Sequence, residues 1–161
     1  MAESLAFSKT DDRSVIYDEI APQIEALIEA ESDVIANLAN VAAVLKEAFG
    51  FYWIGFYLRK ENSLVLGPFQ GPLACTRIGL DKGVCGAAYT RRETLIVPNV
   101  DEFEGHIVCG SASRSEIVVP LFSSVREVAA VLDVDSDTLD DFSTVDKIGL
   151  ERIARIVQNI L

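Results

Sequence analysis

The chain has 161 residues, of which 50% are hydrophobic and 24% are charged. This length corresponds to one domain that can bury a core without a disulfide or metal, and the composition excludes disorder and low complexity. With 14 basic and 25 acidic side chains the net charge is −11, which excludes nucleic acid and anionic membranes as expected partners.

The first 13 residues are polar, and we expect residues 1–13 to form a flexible N-terminus. They lack the basic start and the apolar run of a signal peptide. No uncharged apolar run reaches the ~18 residues of a membrane helix. The three cysteines are therefore predicted to be thiols of a cytoplasmic protein rather than an extracellular disulfide framework.

Four helices are expected from the spacing of apolar residues. The first covers residues 14–31, and Pro22 is predicted to break or kink it. Ser32 is the expected N-cap of the second helix, which ends at Gly50. A short third helix covers residues 83–92, and a fourth with one apolar face closes the chain.

Five segments have the apolar patterns of strands, and they cover residues 51–58, 64–67, 94–100, 115–122 and 127–136. The intervening residues 68–82 and 101–114 are predicted loops. Short turns join the first two strands and the last two, which favours antiparallel pairing. These elements predict an α+β fold, an antiparallel sheet with helices packed on its faces, in a single domain.

The first predicted strand carries a cluster of aromatic residues. Because side chains alternate along a strand, Phe51, Trp53, Gly55 and Tyr57 are expected to share one face. Gly55 would then leave a gap between Trp53 and Tyr57 in which a ligand can sit. The alternative is an aromatic core packed around a glycine bulge.

Three carboxylates interrupt apolar strand segments late in the chain. Asp133 and Asp135 alternate with apolar residues in VLDVDS (131–136), and Glu116 lies near the start of the preceding strand. Carboxylates inside apolar strands are costly unless a cation or a hydrogen-bond donor meets them. On a shared face they could hold an ammonium group or share a proton. The alternative is a solvated end of the sheet.

The three cysteines are candidate reactive thiols. Cys85 lies in the first turn of the third helix, where the helix dipole stabilises a thiolate, so the residues alone favour it as the nucleophile. Cys109 lies in a loop three residues after His106, and Cys75 precedes the helix. Two alternatives stay open: unreactive buried thiols, or a zinc site with His106, although no paired CxxC motif supports zinc.

Six segments together resemble the free methionine-(R)-sulfoxide reductases, which are single GAF domains: FYWIGFY (51–57), LGPFQGPLACTRI (66–78), GVCG (83–86), GHIVC (105–109), SRSEIVVPL (113–121) and VLDVDS (131–136). The motif set is specific, because most GAF domains lack all three cysteines. The resemblance covers residues 14–161 and implies one GAF domain over that range.

The resemblance also implies an activity. Such enzymes reduce free L-methionine-(R)-sulfoxide to methionine without a bound cofactor, and thioredoxin supplies the electrons, which come indirectly from NADPH. The oligomeric state stays open, with a homodimer as one option. The alternative function is that of a non-catalytic GAF sensor module that binds a small ligand.

Residue roles follow by motif match. Cys109 is the attacking thiol that the resemblance implies, in place of Cys85. Cys75 is the best candidate to resolve it, with Cys85 as the second candidate. Five positions match the substrate-binding residues of the family. Trp53 and Tyr57 match its aromatic substrate walls, and Glu116, Asp133 and Asp135 match its polar pocket.

Overall fold

The computed structural model describes residues 4–109 and 112–161, and within them six strands form one antiparallel sheet. The strands are β1 Trp53–Lys60, β2 Ser63–Gln70, β3 Arg77–Gly79, β4 Leu95–Val97, β5 Ser115–Phe122 and β6 Val128–Ser136. The sheet order is β3-β2-β1-β6-β5-β4. Strand β6 therefore lies between β1 and β5 and pairs with both.

The helices cover both faces of the sheet: α1 Arg13–Ala30, α2 Val34–Phe49, α3 Gly83–Arg91 and α4 Thr144–Gln158. Helices α1, α2 and α4 pack on one face, against fully buried strand residues such as Ile54, Phe56 and Leu132. Helix α3 packs on the opposite face. This arrangement confirms the predicted α+β fold. Among the described residues, no helix combines the length and apolar character needed to span a bilayer.

Helix α1 continues through Pro22, so the predicted break does not occur. The helix buries Ile20 and Ile24 in the core, at a gain of ~1.5–3 kcal/mol for each such side chain. This gain outweighs the ~3 kcal/mol cost of a proline in a helix interior. The Gln23 side-chain amide also donates to the Glu19 carbonyl at 2.8 Å, within the turn that Pro22 perturbs.

The C-terminal end of α2 matches the prediction, whereas its N-cap lies one residue later than predicted. Gly50 ends the helix in the left-handed conformation, with φ of 67°, as expected for this residue. The N-cap is Asp33 rather than Ser32, because the Asp33 carboxylate accepts a hydrogen bond from the Ala36 amide at 2.9 Å.

The predicted loop at residues 68–82 contains two pieces of the sheet. Strand β2 extends to Gln70, and β3 pairs with it as a short edge strand. A backbone bond from the Leu66 amide to the Thr76 carbonyl at 3.1 Å also joins the two segments. The glycines and prolines of this stretch concealed its pairing, which depends on neighbouring strands rather than on local sequence.

Two segments predicted to be flexible or irregular are described only in part. A short 3-10 helix, Val100–Glu102, leads into the predicted loop at 101–114, and Gly110 and Ser111 of that loop lie outside the described residues. Ahead of α1, the Ser8 hydroxyl donates to the Glu19 carboxylate at 2.7 Å. The flexibility expected for residues 1–13 stays a prediction.

Candidate active site

The register of the central strands brings the predicted polar and aromatic residues onto one sheet face. Trp53 on β1 lies opposite Asp135 on β6, and Gly55 lies opposite Asp133. Glu116 on β5 lies opposite Asp135 from the other side. Because paired residues and residues two apart share a face, these side chains all point toward α3.

A pocket opens on this face, between the sheet, α3 and the segments that carry the cysteines. The pocket is also lined by residues that were not predicted from the sequence, among them Lys82, Ser113 and Ile107. Seven of the eight selected residues line it: Trp53, Tyr57, Cys85, Cys109, Glu116, Asp133 and Asp135.

The eighth selected residue, Cys75, is joined to Cys109 by a disulfide with a Cα–Cα distance of 5.2 Å. This lies within the ~7 Å that a disulfide can bridge. Both residues are half-buried, so the bond lies between the pocket and solvent. A zinc site built from all three cysteines and His106 is not formed in the described chain, because two of the sulfur atoms are bonded to each other.

Tyr57 connects the sheet to the segment that carries Cys75. Its hydroxyl donates to the Cys75 carbonyl at 2.9 Å, while its ring is buried. Burial, and then the nearby charge of Asp133, raise the pKa of Tyr57 far above its ordinary value, so the hydroxyl remains a donor. This bond fixes one side of the disulfide relative to β1.

The expected gap at Gly55 is wrong, because the indole of Trp53 lies over this glycine. A Cβ built on Gly55 would be 2.5 Å from Trp53 Cη2. The indole stacks on Phe69 with ring centroids 5.3 Å apart, and its Nε1 donates to the Pro72 carbonyl at 3.1 Å. The Tyr57 ring also stacks on the indole, with ring centroids 6.0 Å apart. The aromatic residues therefore form one continuous wall of the pocket.

Phe51 does not share the face of Trp53, contrary to the alternation expected from the sequence. Strand β1 begins only at Trp53, and Phe51 lies before it. Its ring stacks on Phe49 at 5.0 Å and belongs to the core under α1, α2 and α4.

Glu116 and Asp133 form a buried acidic pair, each with 6% of its surface exposed. Burial is the main cause that raises the pKa of both carboxyl groups well above their ordinary values, and repulsion from neighbouring carboxylates adds to it. Two adjacent buried carboxyls cannot both ionise cheaply, so this environment favours a proton on the pair. The solvated sheet end considered from the sequence is therefore excluded.

Asp135 has a different environment, because it is more exposed than Glu116 and Asp133 and accepts a hydrogen bond. Burial raises its pKa to about 6, while the Ser113 hydroxyl, which donates to Oδ1, acts in the opposite direction. Asp135 is therefore mostly ionised at pH 7. Ser113 was missed in the sequence, where only its position two residues before β5 sets it apart.

Cys85 lies in the first turn of α3, as predicted, but its thiolate is not stabilised there. Its side chain is free and buried. Burial, followed by the charges of Asp133 and Glu116, raises the pKa of the thiol well above its ordinary value. The cost of desolvating the thiolate therefore outweighs its stabilisation by the helix dipole. Burial likewise lowers the pKa of His106, with Asp101 opposing the shift.

Comparison with known proteins gives close matches over nearly the whole chain. The family model of the GAF domain matches residues 33–161. GAF domain-containing protein A of Dictyostelium discoideum is 52% identical over 99% of this chain and 100% of its own. The free methionine-R-sulfoxide reductase of Escherichia coli is 38% identical over 93% of this chain and 91% of its own.

Among solved structures, the X-ray structure of free methionine-R-sulfoxide reductase from Neisseria meningitidis in complex with its substrate is similar, with a TM-score of 0.95. It is 50% identical in sequence, and the match covers 99% of this chain and 95% of that one.

Gly55→Ala tests the contact that orients the aromatic wall. The added Cβ would lie 2.4 Å from the Phe69 Cβ as well as against the indole, so Trp53 must move. Since Trp53 is the only tryptophan, intrinsic fluorescence reports on it directly, and we expect a red-shifted emission maximum. The matched control is Gly79→Ala, whose Cβ meets only flexible side chains of Asp81 and Lys82. An unshifted spectrum for Gly55→Ala would contradict the described packing.

Proposed function

Because the chain belongs to the GAF domain family and closely matches free methionine-R-sulfoxide reductases, we propose that it reduces free L-methionine-(R)-sulfoxide to L-methionine. The observation that carries the proposal is the disulfide between Cys75 and Cys109 at the edge of an acid-lined pocket. A pair of thiols supplies two electrons, and a buried acid supplies the proton that sulfoxide reduction requires.

The acids have distinct roles in this proposal. A sulfoxide is a poor electrophile until its oxygen is protonated or strongly hydrogen-bonded. The pair of Glu116 and Asp133, whose pKa values are raised by burial, is the proposed proton donor. Asp135, whose pKa is about 6, is the proposed partner of the substrate ammonium group because it is mostly ionised at pH 7.

The substrate carboxylate has a matching site at the start of α3. The N-cap residue Lys82 makes no side-chain capping bond, and Gly83 and Val84 of the first turn line the pocket. Free amides at a helix N-terminus bind anions. Recognition of both charges would exclude methionine sulfoxide within a peptide, because a peptide bond leaves a buried partner unpaired.

The proposed reaction begins with the reduced protein. The Cys109 thiolate attacks the sulfoxide sulfur, the acid pair protonates the oxygen, and methionine leaves as Cys109 becomes a sulfenic acid. The Cys75 thiol then attacks this sulfur and releases water, which gives the disulfide. In sum, one sulfoxide and two thiols give methionine, one disulfide and water. The wall formed by Trp53 and Tyr57 would contact the S-methyl group.

Recycling requires an external dithiol, for which we propose thioredoxin. The disulfide is half-buried rather than enclosed, so a partner thiolate can approach it. Two apolar side chains flank it and are largely exposed, Leu73 at 91% and Val108 at 70%. On a surface with a charge of −11, these side chains offer an uncharged contact for an incoming protein.

The substrate assignment is tested by following NADPH consumption with thioredoxin and thioredoxin reductase. We expect turnover with the free R epimer of methionine sulfoxide. The S epimer and a blocked peptide that contains the R sulfoxide should react at least ~100-fold more slowly, because each loses a contact to a buried partner. Equal rates for the blocked peptide and the free R epimer would contradict the proposal that the pocket recognises the free amino acid.

The thiol roles are tested in the same assay with single variants. Cys109→Ser should abolish turnover, because no other described thiol lies in the pocket with an accessible sulfur. Cys75→Ser should release about one methionine per chain and then stop, since the sulfenic acid is not resolved. A quenched-flow measurement of methionine separates the first turnover from recycling. Steady-state rates unchanged by Cys75→Ser would transfer the resolving role to Cys85.

A further inference from the structure

Cys85 is a buried thiol that the proposed reaction does not use. It lies on α3, while Glu116 lies on β5 and Asp133 on β6. One ligand atom from each of the three residues lies within 4.8 Å of the other two. All three side chains are buried, and they come together at the floor of the pocket.

Two features show that no cationic side chain among the described residues meets this cluster. The Asp133 Oδ1 atom is buried and has no hydrogen-bond partner in the described part of the chain. None of the ion pairs found among those residues involves Glu116 or Asp133. Buried carboxyl oxygens are normally paired, so an unpaired one in a pocket indicates room for a cationic ligand.

We propose that Cys85, Glu116 and Asp133 form a binding site for a divalent transition-metal cation, with zinc as the best fit. A thiolate with two carboxylates is a mixed soft and hard ligand set, which suits Zn²⁺. Mg²⁺ and Ca²⁺ prefer six or more oxygen ligands, and three protein groups that include a sulfur do not provide them.

The dimensions agree with such a site after a small contraction. Zinc takes sulfur at ~2.3 Å and oxygen at ~2.0–2.2 Å, so tetrahedral ligands lie ~3.5 Å apart. The three ligand atoms, which lie within 4.8 Å of one another, would therefore approach each other by about 1 Å, and side-chain rotation supplies this movement. Binding displaces the thiol proton and the proton of the acid pair to solvent, with no change of oxidation state.

Occupancy by zinc has a consequence that rests on the proposed function. The cation would take the two acids that donate the proton, and it would lie beside Asp135, the proposed ammonium partner. Zinc and methionine sulfoxide would then exclude each other, and zinc would act as a competitive inhibitor.

The binding test uses the oxidised protein, in which the disulfide prevents Cys75 and Cys109 from binding metal. Zinc is titrated into it against a chromophoric zinc indicator. We expect one equivalent to bind, with affinity at least ~10-fold weaker in Cys85→Ser and in Asp133→Asn, since each removes a direct ligand. The matched control is Asp137→Asn, an exposed aspartate beyond the same strand, which should bind as wild type.

A second measurement identifies the sulfur ligand without any variant. Co²⁺ bound to the oxidised wild-type protein should give a near-ultraviolet thiolate-to-metal charge-transfer band. Absence of this band, or zinc binding that Cys85→Ser leaves unchanged, would overturn the site. Because neither readout requires turnover, a failed reductase assay would not affect them. In the active enzyme, zinc should raise the apparent KM for methionine sulfoxide at constant kcat. An unchanged KM would contradict the proposal that zinc and methionine sulfoxide compete for the pocket.

Discussion

Burial of three carboxyl groups on one face of the sheet is the constraint on which the pocket depends. Glu116, Asp133 and Asp135 are brought together by the register of β5 and β6. Burial raises the pKa of each, so the folded protein holds protons that the unfolded chain would release. Such groups contribute stability below their unfolded pKa and lose it as pH rises toward the folded value. For Asp135 this loss falls between pH 3.8 and about 6.

The remainder of the fold holds these acids around the same pocket as Cys109, which is bonded to Cys75. Trp53 lies flat on Gly55 and donates to Pro72, while Tyr57 donates to the Cys75 carbonyl. These contacts fix the segment that carries Cys75, and the disulfide in turn fixes Cys109. The large core under α1, α2 and α4 lies on the far side of the sheet, so the pocket face is free to be polar.

Much of this architecture was predictable from local patterns, and the rest depends on contacts between distant residues. Alternation in VLDVDS placed Asp133 and Asp135 on one face, and the Gly50 helix end followed from its αL preference. The edge strand β3 was missed because only pairing with β2 creates it. Phe51 was placed on the wrong face because alternation cannot show where β1 begins. The raised pKa of Cys85 reflects packing that no spacing rule reveals.

The pocket is expected to raise the pKa values of its three buried acids above those of exposed carboxyls. Carbon-13 NMR of the side-chain carboxyls, assigned with Asp→Asn and Glu→Gln variants in the oxidised protein, tests it directly across a pH titration. The account predicts a midpoint of about 6 for Asp135, and midpoints above the ordinary values for Glu116 and Asp133. Midpoints near ~4 for all three groups, the range of exposed carboxyls, would contradict it.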